Sequence, residues 1–170
     1  VMSERKAREF GVSRPVRVAS SVLRSGWDHG PAEPGTGDVC SAEAYEEAGV
    51  GPNDMDVIEL HDAFSIAELV YYEALGLCAP GESTDYLKAG KSTYGGKVVV
   101  NPSGGLLSKG HPVGASGVAQ AVEMFWQLTG QAGARQVEGA RNGLTHVTGG
   151  GIAGLDHGAC TVHIFAQAHR

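Results

Sequence analysis

A chain of 170 residues with 42% apolar side chains is long enough to bury one sizeable core, and its composition excludes a collagen-like repeat or wholesale disorder. A formal charge of −6 and a pI near 5.6, with basic residues scattered rather than gathered into a stripe, argue against nucleic acid as a partner. No apolar run approaches the ~20 residues of a membrane span, and Val1-Met-Ser-Glu-Arg-Lys-Ala-Arg8 lacks the apolar core of a signal peptide. Cys40, Cys78 and Cys160 lie far apart and suit a reducing compartment without a disulfide framework, and the seven histidines form no His-Glu-x-x-His pair. The expectation is a cytoplasmic protein with no metal.

In chain order, Ser3 can cap a short charged helix to about Phe10, and the β-branched run Arg17–Leu23 predicts a strand. A Gly- and Pro-rich loop covers Gly26 to Gly37. Asp38 or Ser41 can cap a helix running through Ala48 and closed by Gly49; Val57–Leu60 then reads as a short strand after the turn Gly51-Pro-Asn-Asp54. Helical spacing of apolar residues from Phe64 to Leu75 ends at Gly76, Cys78–Gly96 reads as an irregular excursion, and Lys97–Val100 as a buried strand. A helix from Ala115 to Leu128 and strands at Gly143–Thr148 and Cys160–Phe165 complete the series. Strands alternating with helices predict an α/β fold, with a mixed five-stranded sheet covered by helices.

The most specific segment is Asn101-Pro-Ser-Gly-Gly-Leu-Leu-Ser-Lys-Gly-His111-Pro-Val-Gly-Ala-Ser-Gly117. A histidine stands between two glycine-rich turns just ahead of a helix, where free N–H groups and close backbone approach favour developing negative charge. Two further segments carry chemistry-bearing residues, Val57-Ile-Glu-Leu-His61-Asp-Ala-Phe64 and Leu144-Thr-His146-Val-Thr-Gly149-Gly-Gly151.

Together these three segments resemble the C-terminal half of the thiolase superfamily: its Gly-His-Pro signature, its Asn-Glu-Ala-Phe or His-Asp-x-Phe motif, and its Cys-x-Gly-Gly-Gly motif. The resemblance implies an αβα-layered half, with residues 1–15 a remnant of the preceding half or a linker and 16–170 the thiolase-like domain. It implies that His61 and His111 form an oxyanion hole for a thioester or ketone oxygen, with neutral imidazole N–H groups as donors. Ser103, Gly104, Gly149 and Gly150 would line the substrate site. Asp62 would orient its loop or cap the helix beginning near Phe64, and Phe64 would be core.

The same alignment places Val147 where thiolases keep a proton-shuttling cysteine, and Ala63 where sterol-carrier-type members keep theirs. Valine and alanine transfer no protons. The pattern resembles lipid-transfer-protein-type members of the superfamily, including actinobacterial steroid side-chain aldolases, and implies retro-aldol cleavage of a β-hydroxyacyl-CoA. The alternatives are a sterol-carrier-type 3-ketoacyl-CoA thiolase and a non-catalytic lipid-CoA-binding subunit. Tyr94, set between glycines and a strand, is the expected base, with His146 a further candidate; Tyr71 and Tyr72 read as packing residues. No bound cofactor is expected, coenzyme A entering as part of the substrate. Expected partners are an N-terminal thiolase half or partner chain, a thiolase-type dimer and an OB-fold subunit.

Overall fold

The computed structural model describes residues 1–154 and 156–168, so residues 155, 169 and 170 of the expected 16–170 domain lie outside the described residues. Six helices and five strands follow in the order α1 (Glu4–Glu9), β1 (Val16–Ser25), α2 (Thr36–Ala48), β2 (Val57–Glu59), α3 (Ser65–Ala74), α4 (Ser83–Lys88), β3 (Val99–Val100), α5 (Gly105–Lys109), α6 (Ser116–Thr129), β4 (Asn142–Ala153) and β5 (Asp156–Gln167). The strands form one mixed sheet in the order β1-β5-β4-β2-β3. β2 pairs in parallel with β3 and β4, while β5 runs antiparallel to both of its neighbours, β4 and β1. The expected five-stranded α/β sheet is therefore present.

Side-chain alternation along β4 assigns the two faces. Leu144 joins Ile58, Leu60, Tyr72, Val162 and Ile164 in a core beneath α2 and α3. On the other face Val57 meets Met124 and Leu128 of α6. Gly143 makes that second contact possible: a Cβ there would overlap the Met124 sulfur and lie 3.1 Å from Val57 Cγ1. Helix α6 packs on the sheet because residue 143 has no side chain.

Several local expectations are corrected. The excursion from Cys78 to Gly96 contains α4, whose Tyr86 is buried against Tyr72. Helix α2 begins at Thr36, ahead of both expected caps; Asp38 reaches back to accept the Gly35 N–H at 3.0 Å, and Asp156 at the start of β5 accepts the Thr36 N–H and hydroxyl. The last two strands are each twelve residues long, continuing through the Gly149–Gly151 run across a bulge between Gly149 and Ile152. Phe64 is 69% exposed and is not core.

Candidate oxyanion site at the ends of the parallel strands

The carboxyl ends of β2 and β3 lie side by side against the first half of β4, the usual place for a ligand in a sheet with parallel strands. Beyond β2 stands His61, beyond β3 the run from Asn101, and β4 leads into Gly149 and Gly150. The Asn101 carboxamide ties the first two together by accepting the Leu60 N–H at 2.8 Å, and it holds a left-handed φ of 50°. Asp62 ties them again: its carboxylate accepts the Leu106 N–H at 2.6 Å and the Leu107 N–H at 3.4 Å. Asp62 thus orients the loop, as expected, but the helix it caps is α5 rather than α3.

These ties bring His61 and His111 together, their ring centroids 4.8 Å apart and their planes at 89°. His61 is 6% exposed, and burial, with the neighbouring His111, pushes its pKa down to about 4. It is a neutral imidazole at physiological pH. Its Nδ1 is enclosed without a protein partner among the described residues, which leaves Nε2 as the nitrogen available to a ligand.

His111 is held through Nδ1, 2.8 Å from the Ser116 hydroxyl oxygen, and that hydroxyl lies 3.3 Å from the Pro112 carbonyl. When Ser116 donates to Nδ1, His111 carries its hydrogen on Nε2 and can donate to an oxyanion. When Ser116 donates to Pro112, Nδ1–H donates to the serine oxygen and Nε2 offers a lone pair. The direction of the Ser116 hydroxyl is thus coupled to the His111 tautomer, a hydrogen-bond donor in one state and a base in the other.

Ser103 is engaged beneath the site. Its N–H and hydroxyl donate to the fully buried Glu59 carboxylate at 2.9 and 2.6 Å, and Lys109 reaches both the Ser103 oxygen and, at 3.4 Å, Glu59. Burial raises the Glu59 pKa, opposed by these donors and by the Lys109 ammonium. Gly104 enters α5 in a left-handed conformation at φ 98°. Gly149 has open space on its Cβ side, and Gly150 takes φ 81° within the bulged end of β4.

Neither Tyr94 nor His146 shares an opening with the two histidines among the described residues. The Tyr94 hydroxyl donates to the Arg135 carbonyl at 2.7 Å, and its ring is half-exposed; among the described residues it contacts neither histidine. His146 has no exposed surface, so its imidazole does not reach a substrate proton. Alternation also separates it from its neighbour Val147: Val147 faces α6, where a Cβ on Gly117 would meet it at 3.6 Å, and His146 faces α3. There Tyr71, read as packing, lays its ring 4.2 Å from the His146 ring and pairs its hydroxyl with the Thr148 hydroxyl at 3.0 Å.

Sequence reasoning gives Glu59, Ser116 and Gln120 no role and Tyr71 only a packing one. Glu59 had a signal, a carboxylate in an otherwise apolar strand. Ser116 stood in the quoted glycine-rich run. Tyr71 had none, because its partners come from β4, more than seventy residues away.

A family model described as thiolase C-terminal domain-like matches residues 36–159. The chain belongs to that family. This thiolase-like chain is 49% identical over 168 residues to the benzoylsuccinyl-CoA thiolase subunit BbsB of Thauera aromatica, a match covering 95% of the chain and 44% of that protein. It is 59% identical over 112 residues to sterol carrier protein 2 of Rattus norvegicus, covering 65% of the chain and 20% of that protein. The solved Ltp2-ChsH2(DUF35) aldolase shares the fold with a TM-score of 0.77 at 23% identity, over 92% of the chain and 41% of the solved one. The chain spans less than half the length of these relatives. No described helix is long and apolar enough to cross a membrane.

Proposed function

We propose that this chain supplies the oxyanion-binding half of an enzyme that cleaves a carbon–carbon bond in an acyl-CoA, most simply by retro-aldol reaction of a β-hydroxyacyl-CoA. The observation that carries the proposal is the meeting of His61 and His111, 4.8 Å apart at the strand ends, beside a Val147 and an Ala63 that cannot shuttle protons. In this reading the His61 Nε2–H donates to the thioester oxygen, and His111, in the form with a free Nε2 lone pair, accepts the β-hydroxyl proton. The Cα–Cβ bond breaks, its electron pair passes into the thioester enolate, and Cβ leaves as a ketone or aldehyde. The His111 imidazolium returns that proton to Cα of the enolate, which leaves the shortened acyl-CoA and a neutral His111. Coenzyme A enters as part of the substrate, and the reaction needs no acyl-enzyme.

A second reading, CoA-dependent thiolysis of a 3-ketoacyl-CoA, is favoured by the 49% identity to a thiolase subunit. In both, the remaining half or a partner chain completes the site. The surface to receive it is the outer face of α6, where Val113, Val118, Val122 and Trp126 line an open groove of about 860 Å³. A thiolase-type dimer with an OB-fold partner is consistent with relatives that are themselves subunits.

The test uses the full-length protein with its partners. One sample receives a β-hydroxyacyl-CoA without free CoA, the other a β-ketoacyl-CoA with it, and products are read by mass. Ketone or aldehyde release in the first, abolished in His61→Ala, supports the aldolase reading. Chain shortening confined to the second replaces it with thiolysis.

A further inference from the structure

We propose that His146 is a positioning residue for His61, locked from one side of the sheet by Tyr71 and from the other by Gln120. The proposal rests on the reading of His61 as an oxyanion donor. His61 follows the end of β2, where ladder pairing with β4 stops at Glu59 and Thr145, so its main-chain N–H has no strand partner. The acceptor it finds is the His146 Nδ1, at 3.5 Å. An imidazole that accepts at Nδ1 must carry its hydrogen on Nε2 and be neutral. Protonated, it would set N–H against N–H and push His61 away.

The surroundings enforce that state. His146 is wholly buried, and burial, together with the nearby His61, pushes its pKa down to about 3. From α6, the Gln120 amide donates to the His146 carbonyl at 3.2 Å, fixing the main chain. From α3, the Tyr71 ring covers the imidazole at 4.2 Å, while its hydroxyl holds Thr148, the next residue of β4 on the same face. Tyr71 thus holds the ring and the Thr148 side chain, and Gln120 holds the carbonyl. His146 therefore directs His61 from behind, and it does so as a hydrogen-bond acceptor.

The acceptor role separates this proposal from simple packing, because glutamine keeps an acceptor and leucine only fills space. In the full-length protein, His146→Leu is expected to speed amide exchange at His61 by at least about tenfold and to lower kcat about tenfold with KM changed less than about threefold. His146→Gln is expected to recover both to within about threefold of wild type. Equal behaviour of the two variants in exchange and in kcat overturns the proposal. If the wild type turns over neither class of CoA ester, the proposed reaction fails, and exchange at His61 alone decides the positioning role. If His146→Leu does not fold, Tyr71→Leu, which uncovers the imidazole, takes its place; unchanged exchange at His61 in that variant overturns the proposal.

Discussion

The Asp62 carboxylate occupies the space that a side chain on Gly105 would need. A Cβ built at Gly105 would lie 2.7 Å from Asp62 Cγ and overlap a carboxylate oxygen, and Gly105 itself holds φ 61°. The residue after His61 is thereby seated directly on the first turn of α5, six residues before His111. This contact joins the two histidine-bearing loops more closely than any bond between the histidines themselves.

Gly105→Ala combines a left-handed conformation that alanine resists with a clash against a buried carboxylate. The expected loss is about 3 kcal/mol, read as a lowered urea midpoint. Asp62→Ala removes the acceptor for a buried N–H and is expected to cost about 2 kcal/mol. If both variants keep wild-type midpoints, the joint between the loops is not where stability resides.

His61 and His146 predict how stability depends on pH, and burial lowers His163 in the same sense. Above about pH 6.5 both are neutral in the folded and unfolded chain. Below it the unfolded chain takes up protons that folded His61 and His146 refuse until about pH 4 and about pH 3. Stability is therefore full above pH 6.5 and falls as pH drops toward 4, on the order of several kcal/mol in total. His29 works in the opposite sense: bonds to the Gly30 carbonyl and Asp156 raise its pKa and favour the folded state at lower pH. Denaturation followed from pH 7.5 to 4.5 is expected to show a net fall, and His146→Gln to reduce its slope. A flat profile would place both imidazoles in contact with water.

The elements that could be read from local sequence are those whose ends carry their own signals. Helix α6 and strand β4 were visible because apolar spacing and closing glycines such as Gly130 sit within the segment. Helix α4 was not, since six residues give too few turns for a period. The start of α2 carries no local signal, because its Thr36 N–H is met by Asp156, 120 residues further on. The site divides in the same way. His61 and His111 are legible through motif context, whereas the glycines beside Tyr94 point away from Tyr71, the ring that the pairing of β4 with β2 brings to His146.

Ser116→Ala isolates the control of His111. The variant leaves Nδ1 without its 2.8 Å partner and the ring free to turn about its bonds to the main chain. The expected result is a kcat reduced about tenfold with KM within about twofold, while Ser116→Thr, which keeps the hydroxyl, retains most activity. A serine whose loss raised KM alone would be a binding residue instead.

Tyr94→Phe separates residue type from residue position. The hydroxyl it removes donates to the Arg135 carbonyl at the rim of the α6 groove, on a half-exposed ring, so the stability cost is expected to be about 1 kcal/mol or less. Because no described contact joins Tyr94 to His61 or His111, kcat on the β-hydroxyacyl-CoA is expected to stay within about twofold of wild type. A proton-transfer residue would instead contribute about a hundredfold or more. A loss of that size, at an unchanged melting temperature, would mean that the groove beside α6 closes over the histidines when the remaining half is in place, and would return Tyr94 to the role of base.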